Sequence, residues 1–111
     1  MTELTVDCCV SNIELAKANI STWIRSTMQY YRSNHGTVPV RIQDVNETAT
    51  VLMSRIRKAS TYTDTFLIEE IAEYIDRINK TKDTNYLVIY KEYRYALQME
   101  LQRRALMEVA A

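Results

Sequence analysis

The feature that most constrains this chain is its last long stretch, residues 83–109, which reads DTNYLVIYKEYRYALQMELQRRALMEV. It contains neither glycine nor proline, so it predicts a single helix about 40 Å long at roughly 1.5 Å per residue. Its first half is apolar nearly all round, with Tyr86, Leu87, Val88 and Ile89 in succession. A helix of this kind must be covered on most sides, either by the rest of its own chain or by a second copy.

Glycine and proline are scarce throughout, with one of each in 111 residues. Sandwiches and barrels need many turn residues, and phosphate-binding folds need glycine-rich loops. The sequence therefore predicts an all-α, four-helix bundle-like domain with a long C-terminal helix. The length suits one domain, so residues 1–111 are expected to form a single helical unit.

The start and end of the first helix carry local signals. Ser11 and Glu14 match a capping box, in which each side chain accepts a hydrogen bond from a backbone N–H of the other residue. Gly36 can adopt the left-handed conformation that ends many helices. These signals predict a helix over residues 11–34. Residues 1–10 alternate weakly between apolar and polar types, so they are expected to form an extended arm or a frayed helical start.

The other three helices follow after short connections, which favour antiparallel neighbours. Pro39 suits the first position of a helix, so the second helix is predicted over 39–60, with a competing cap at Asp44. The third is predicted over 64–79. The last, over 83–109, begins at a capping Asp83 or Thr84.

Two of these helices show apolar residues at alternating spacings of three and four, which is typical of a buried seam. In the second helix the seam is Ile42, Val45, Ala49, Leu52, Ile56 and Ala59. In the third helix it is Ile68, Ile71, Ile75 and Ile78, flanked by Leu67 and Ala72. We expect both seams to face the core.

The last helix also carries an aromatic and apolar stripe at helical spacing. Its members are Tyr86, Tyr90, Tyr93, Leu97 and Leu101. Such a stripe is typical of a core seam, including one between subunits, and large aromatic side chains are also frequent anchors in protein interfaces. We take these five residues as the candidate partner-binding stripe.

Helix lengths favour self-association. A third helix of roughly 24 Å cannot cover a last helix near 40 Å. Apolar side chains around Leu97, Leu101, Leu106 and Met107 would then be exposed, and such patches usually mark an interface. The leading hypothesis is a non-enzymatic protein–protein interaction module, an adaptor or regulator, that forms a homo-oligomer or binds another protein through its C-terminal helix.

The alternative hypothesis is a nucleic-acid-binding regulator. It requires the fold to gather separate basic residues into one patch, namely Arg41, Arg55, Arg57, Lys58, Arg103 and Arg104. The chain has 14 basic and 14 acidic residues and no segment with a dense cationic surplus, which disfavours binding dominated by phosphate contacts. Small helical accessory proteins of phages and mobile elements share this size and composition.

Few residues suggest catalysis, a cofactor or a metal. His35 lies in a predicted loop without a nucleophile related to it by sequence, and Cys8 and Cys9 lack the further ligands of a zinc site. Three carboxylates share one face of the third helix: Glu69, Glu73 and Asp76. No Glu-x-x-His pair accompanies them, so they favour a solvated face over a di-metal centre. We expect neither enzymatic activity nor a cofactor.

The apolar runs are far shorter than the roughly 20 residues that span a membrane. The N-terminal residues carry acid where a signal peptide needs base. These observations predict a cytoplasmic protein without a membrane partner.

Overall fold

The computed structural model describes residues 3–110. They form four α-helices joined by short connections, with a 3₁₀ turn between the second and the third and no strand among the described residues. The helices are α1 (Val6–His35), α2 (Val40–Arg57), α3 (Asp64–Lys80) and α4 (Thr84–Ala110), and the 3₁₀ turn is Ala59–Thr61. The predicted all-α fold is confirmed.

Helix α4 lies at the centre of the molecule. Helices α1, α2 and α3 all pack against it, α2 also packs against α1, and α3 makes no extensive contact with either α1 or α2. Two hydrogen bonds fix the antiparallel register of α1 and α4, from Asn19 to Glu92 at 3.2 Å and from the Trp23 indole to Asn85 at 3.3 Å. The arrangement is therefore three helices around a fourth, with one side of α4 left without a neighbour.

The first helix begins earlier than the sequence predicts. The Thr5 hydroxyl accepts a hydrogen bond from the Cys8 backbone N–H at 3.1 Å, so Thr5 is the N-cap and the helix starts at Val6. The predicted cap at Ser11 is wrong, and of the two expectations for residues 1–10 the described residues from Val6 onward follow the helical start and not the extended arm. The physical reason is burial, because Cys9 in this added segment is fully buried in the core.

The early start of α1 also changes how α4 is covered. With 30 residues, α1 is about 45 Å long and not shorter than α4. In the register set by Asn19 and Glu92, its first turns lie level with about residues 101–105 of α4. The prediction that apolar side chains in the second half of α4 are exposed is therefore wrong for Leu97, which is fully buried. Leu101 and Leu106 are half-buried, and Met107 is half exposed.

The other helix ends follow the sequence signals closely. Gly36 takes the left-handed conformation with φ 75° and ends α1. Pro39 is the residue before α2 rather than its first residue, and the competing start at Asp44 is not used. The Asp83 carboxylate accepts a hydrogen bond from the Asn85 backbone N–H at 2.8 Å, which confirms the expected cap at the start of α4.

The predicted seam of α2 is confirmed. All six of its residues are buried in the core, including Ala59, which follows the helix in the 3₁₀ turn. All of them except Ile42 belong to one core cluster with Ala16 and Ile20 of α1 and with Ile89 and Ala96 of α4. A strict three-and-four spacing thus correctly located the side of α2 that faces the bundle.

The predicted seam of α3 is wrong by a rotation of the helix. Leu67 and Tyr74 are buried, whereas Ile68 and Ile75 are exposed. Tyr74 stacks edge-on against the Tyr93 ring of α4, with ring centroids 4.6 Å apart. Burying Tyr74 turns Ile75 away from α4, because neighbouring residues on a helix point about 100° apart.

The molecule is elongated, with extents of 55 × 28 × 24 Å and a radius of gyration of 15.6 Å, against about 13 Å for a compact domain of this length. Among residues 3–110, no helix combines the length and the apolar character needed to cross a lipid bilayer.

Candidate interaction surfaces

The predicted partner-binding stripe of α4 lies mainly in the core of the single chain. Tyr90, Tyr93 and Leu97 are buried, and Tyr86 and Leu101 are half-buried. They face α2 and α3, which cover this side of α4. These five residues therefore stabilise the bundle itself and do not form a free surface of the single chain, and their role in binding a partner stays a prediction.

Tyr93 is the largest fully buried side chain. Its hydroxyl donates a hydrogen bond to the Glu70 carboxylate of α3 at 2.5 Å, and the same carboxylate oxygen pairs with the Arg55 guanidinium of α2 at 3.2 Å. Burial, together with the bond to Glu70, raises the pKa of Tyr93. These three residues join the three helices, and the pair between Arg55 and Glu70 is the only salt bridge between α2 and α3 in the described chain.

Beside this junction, α2 and α3 diverge and leave a long groove. One hollow of about 530 Å³ lies toward the start of α2, where it is lined by Asp44, Glu47, Val51 and Tyr86 among others. A second hollow of about 360 Å³ lies toward the start of α3. The two share Arg55, Tyr74 and Arg77 in their walls. We call this continuous depression between α2 and α3 the acidic groove.

Helix α3 also presents an apolar flank on its other side. Glu73 lines the acidic groove and so faces α2, and the next residue, Tyr74, is buried against α4. Ile75 follows at a further 100° in the same direction, so it lies on the side of α3 that faces away from α2. Ile68, two turns earlier, lies on the same flank. Both isoleucines are exposed to solvent.

The uncovered side of α4 lies between this flank and α1. Lys91 and Tyr95 of α4 line a hollow of about 360 Å³ together with Leu15 and Asn19 of α1. Val88 lies seven residues before Tyr95 and therefore on the same side of α4. No helix of the described chain packs over this strip.

These residues form one apolar surface across three helices, which we call the open face. It consists of Leu15, Ile68, Ile75, Val88 and Tyr95. Four of the five are between 39% and 57% exposed, and Tyr95 is half-buried. The sequence contained a signal for this surface, since α4 is apolar nearly all round, but the prediction followed the tyrosine stripe on the opposite side of the helix.

Two cations border the open face. Lys91 and Arg94 line the hollow beside Tyr95, and neither forms a salt bridge within residues 3–110. The Arg94 Nε is buried and has no hydrogen-bond partner there. Burying such a group without a partner is unfavourable. A carboxylate supplied from outside the described chain would therefore find an unpaired guanidinium at this edge.

The basic residues predicted to bind nucleic acid do not form one patch. Arg41 lies at the start of α2, whereas Arg57 and Lys58 lie at its end, about 24 Å away along the helix axis. Arg55 lies in the acidic groove and pairs with Glu70. Four of the six residues are therefore separated in space or matched by acid.

The remaining two basic residues belong to an internal ion cluster. Glu100 is almost completely buried, and both of its carboxylate oxygens accept hydrogen bonds from the Arg103 Nε, at 2.8 and 3.1 Å. Arg104 pairs with Asp64 at 2.6 Å and donates to two backbone carbonyl oxygens in the turn between α2 and α3. The cluster therefore fixes the turn to α4. Arg57, which lines a hollow together with Arg103, and its neighbour Lys58 form no salt bridge within the described residues. Sequence spacing could have indicated that Glu100 is buried, because Tyr93 lies seven residues before it and therefore on the same side of α4.

The residues considered for chemistry lie apart from one another. His35 is exposed at the end of α1 and contacts Tyr30 and Tyr31, with ring centroids 5.7 and 5.5 Å away. Cys8 is half-buried and Cys9 is buried, and both are free thiols. Within residues 3–110, no three His, Cys, Asp or Glu side chains are grouped so that they could hold a metal ion.

The acidic face predicted for α3 is exposed. Glu73 pairs with Arg77 and Asp76 pairs with Lys80, each at 3.0 Å along the helix. Glu69 is exposed and lines the acidic groove. The neighbouring Glu70, which is not among the three, pairs with Arg55 of α2.

Comparisons of the chain with protein-family models, with curated proteins and with solved structures give no match.

Proposed function

We propose that this protein is a non-enzymatic helical interaction protein, an adaptor or regulator, that self-associates through the open face. The observation that supports it is the uncovered strip of α4, on which Val88 and Tyr95 lie between the exposed isoleucines of α3 and Leu15 of α1. Exposed apolar side chains grouped on one side of a molecule are a frequent mark of a protein–protein interface. The self-association expected for the C-terminal helix is retained, on the side opposite the tyrosine stripe.

A second copy suits this surface in size. The long side of the molecule measures 55 × 28 Å, which is enough for the roughly 800 Å² that each partner buries in a standard interface. In a two-fold dimer, the α3 flank of one copy lies against the α4 strip of the other.

Sedimentation equilibrium tests this proposal. We expect the wild-type mass to rise above the 13.0 kDa of the single chain as the concentration reaches the high micromolar range. The variant Ile68→Glu places a charge on the α3 edge of the open face and should remain at the monomer mass. Since Ile68 is exposed, the substitution should leave the fold unchanged, and the far-UV circular dichroism spectrum of the variant should match that of the wild type.

A matched control separates the open face from general surface effects. Val40 is also exposed, but it lies at the start of α2 and outside the open face, so Val40→Glu should associate as the wild type does. Leu15→Glu, on the α1 edge of the face, should behave like Ile68→Glu. A wild-type chain that stays monomeric at high micromolar concentration, or an Ile68→Glu chain that associates normally, would overturn the proposal.

A further inference from the structure

The acidic groove lies on the side of the bundle away from the open face and carries an excess of negative charge. Five carboxylates line it against two guanidinium groups, which gives a net charge of −3. The carboxylates are Asp44, Glu47, Glu69, Glu70 and Glu73, and the guanidinium groups are Arg55 and Arg77. Nucleic acid would be repelled from such a surface.

The two arginines of the groove are already occupied. Arg55 pairs with Glu70, and Arg77 pairs with Glu73 and lies over the Tyr74 ring at 5.1 Å. The other three carboxylates form no salt bridge with any described residue. The charge left for a ligand is therefore that of Asp44, Glu47 and Glu69.

Apolar and aromatic groups lie between these carboxylates. Val51 of α2 and Phe66 of α3 are exposed in the walls, and Tyr86 of α4 is half-buried in the floor. The Tyr86 and Tyr90 rings contact each other with centroids 5.5 Å apart. The volumes of the two hollows lie within the range of ordinary ligand sites. The groove thus combines an apolar floor with acidic rims.

We propose that the acidic groove binds a basic amphipathic helix of another protein. Apolar side chains of that helix contact Val51, Phe66 and Tyr86, and its lysines or arginines pair with the free carboxylates. This is the helix-in-groove mode of recognition, with charge complementarity setting the choice of partner.

The alignment of α2 and α3 along the groove determines how far apart the cations of a bound helix should lie. Arg55 of α2 lies opposite Glu70 of α3, and the two helices run antiparallel with the same rise per residue. Glu47 is eight residues before Arg55, so it lies about 12 Å along the groove from the level of Glu70 and Glu69. Two cations about two turns apart on the bound helix would reach both ends.

A synthetic peptide tests the inference. The probe is a fluorescein-labelled helical peptide with leucines at i, i+3, i+4 and i+7 and with lysines flanking that apolar face two turns apart. The control peptide has the same composition, with the lysines moved to the face opposite the leucines. Fluorescence anisotropy should show tighter binding of the first peptide, and its affinity should fall with added salt.

Matched protein variants locate the site. Asp44→Asn with Glu47→Gln removes two charges from the groove, and Asp7→Asn with Glu14→Gln removes two charges from exposed positions of α1. We expect the first pair to weaken peptide binding about tenfold, because the two lost contacts together contribute about 1.4 kcal/mol, and the second pair to leave it within about twofold.

Several outcomes would overturn the inference. They are equal weakening by both pairs of substitutions, equal binding of both peptides, and no binding at high micromolar concentration. If the groove pair instead lowers the sedimentation mass, the groove holds a second copy and the proposed partner is wrong. Repeating the titration with Ile68→Glu keeps this inference separate from self-association, since the groove is intact in that variant.

Discussion

At the scale of single residues, Glu100 makes the most consequential polar contact in the molecule. It is a buried carboxylate held by Arg103, with Arg104 nearby, at the end where the turn between α2 and α3 meets α4. Removing one partner of a buried ion pair leaves the others without a counter-charge, which is strongly destabilising. Glu100 therefore stabilises the bundle more than the exposed acids do.

Replacing Glu100 with Gln should lower the free energy of unfolding by about 3 kcal/mol, since Arg103 would lose its buried counter-charge and Arg104 would keep only the exposed Asp64. Urea unfolding followed by the fluorescence of Trp23 measures this change. Glu108→Gln, at an exposed position of the same helix, is the control and should change it by less than about 0.5 kcal/mol. Equal effects of the two substitutions would show that the cluster does not stabilise the fold.

Tyr93 should give the protein a specific sensitivity to alkali. Its pKa is raised in the folded state, first by burial and then by the bond to Glu70, so the folded protein keeps the phenolic proton at pH values where the unfolded chain loses it. Stability is therefore fully present below about pH 10, the ordinary pKa of tyrosine, and falls as the pH rises above it.

Measuring the free energy of unfolding from pH 8 to 11 tests this behaviour, with pH limits chosen around the ordinary tyrosine value. Tyr93→Phe should lose about 1.5 kcal/mol near neutral pH, because the hydrogen bond to a charged acceptor is removed. It should then show a shallower decline in alkali than the wild type. The decline should not vanish, because burial also raises the pKa values of Tyr74 and Tyr86. An identical decline in both proteins would exclude Tyr93 as a cause.

At the scale of helices, the first turns of α1 distinguish the observed fold from an extended arm. Cys9 is fully buried, while its neighbour Cys8 is only half-buried. Burial, with the adjacent Cys8 thiol, also raises the pKa of Cys9, which lowers its thiolate fraction.

We expect the Cys8→Ser variant, which keeps only Cys9, to react with a thiol reagent at least about tenfold more slowly than the Cys9→Ser variant. The rates are followed by absorbance in native buffer. The same two variants in denaturant provide the control and should react at similar rates. Equal rates in native buffer would favour a solvent-exposed arm over a helix that covers α4.

Sequence signals located most helices because their caps are local. Gly36, Pro39 and Asp83 each act within one turn, so their effect can be predicted without knowing the fold. The start of α1 could not be predicted in this way, since Thr5 and Ser11 both suit an N-cap and the choice depends on burying Cys9 against a distant helix. Tertiary contacts decide between two local signals of equal quality.

The rotation of α3 illustrates the same limit. A seam through Ile68 and Ile75 and a seam through Leu67 and Tyr74 both follow the three-and-four spacing, and they share Ile71 and Ile78. Periodicity alone therefore cannot separate them. The choice follows from Tyr74 packing on Tyr93, a contact between residues that are far apart in sequence. The position of the open face depends on this choice, so it too could not be predicted.

At the scale of the whole molecule, the open face and the acidic groove lie on different sides of α4. No residue is shared between them, and the buried core separates them. If both proposals hold, binding at one should not alter affinity at the other, because no moving element links the two surfaces.

The expected result is that the basic helical probe has the same affinity for the wild type at low and at high protein concentration, and for the monomeric Ile68→Glu variant. Anisotropy titrations of the three samples measure this, with sedimentation run in parallel to establish the mass of each. A difference greater than about threefold between monomer and oligomer would show that the two surfaces are coupled.

The central place of α4 has a consequence for biosynthesis. It follows the other three helices in the chain, yet it supplies the surface on which all of them pack. While a ribosome is still extending the chain, α1 and α2 can meet each other, but α3 has no extensive surface to dock on. The nascent chain should therefore expose its apolar side chains until α4 emerges from the ribosome. Any translation product that stops before residue 84 should be a target for chaperones and proteases and should not form a smaller stable fold.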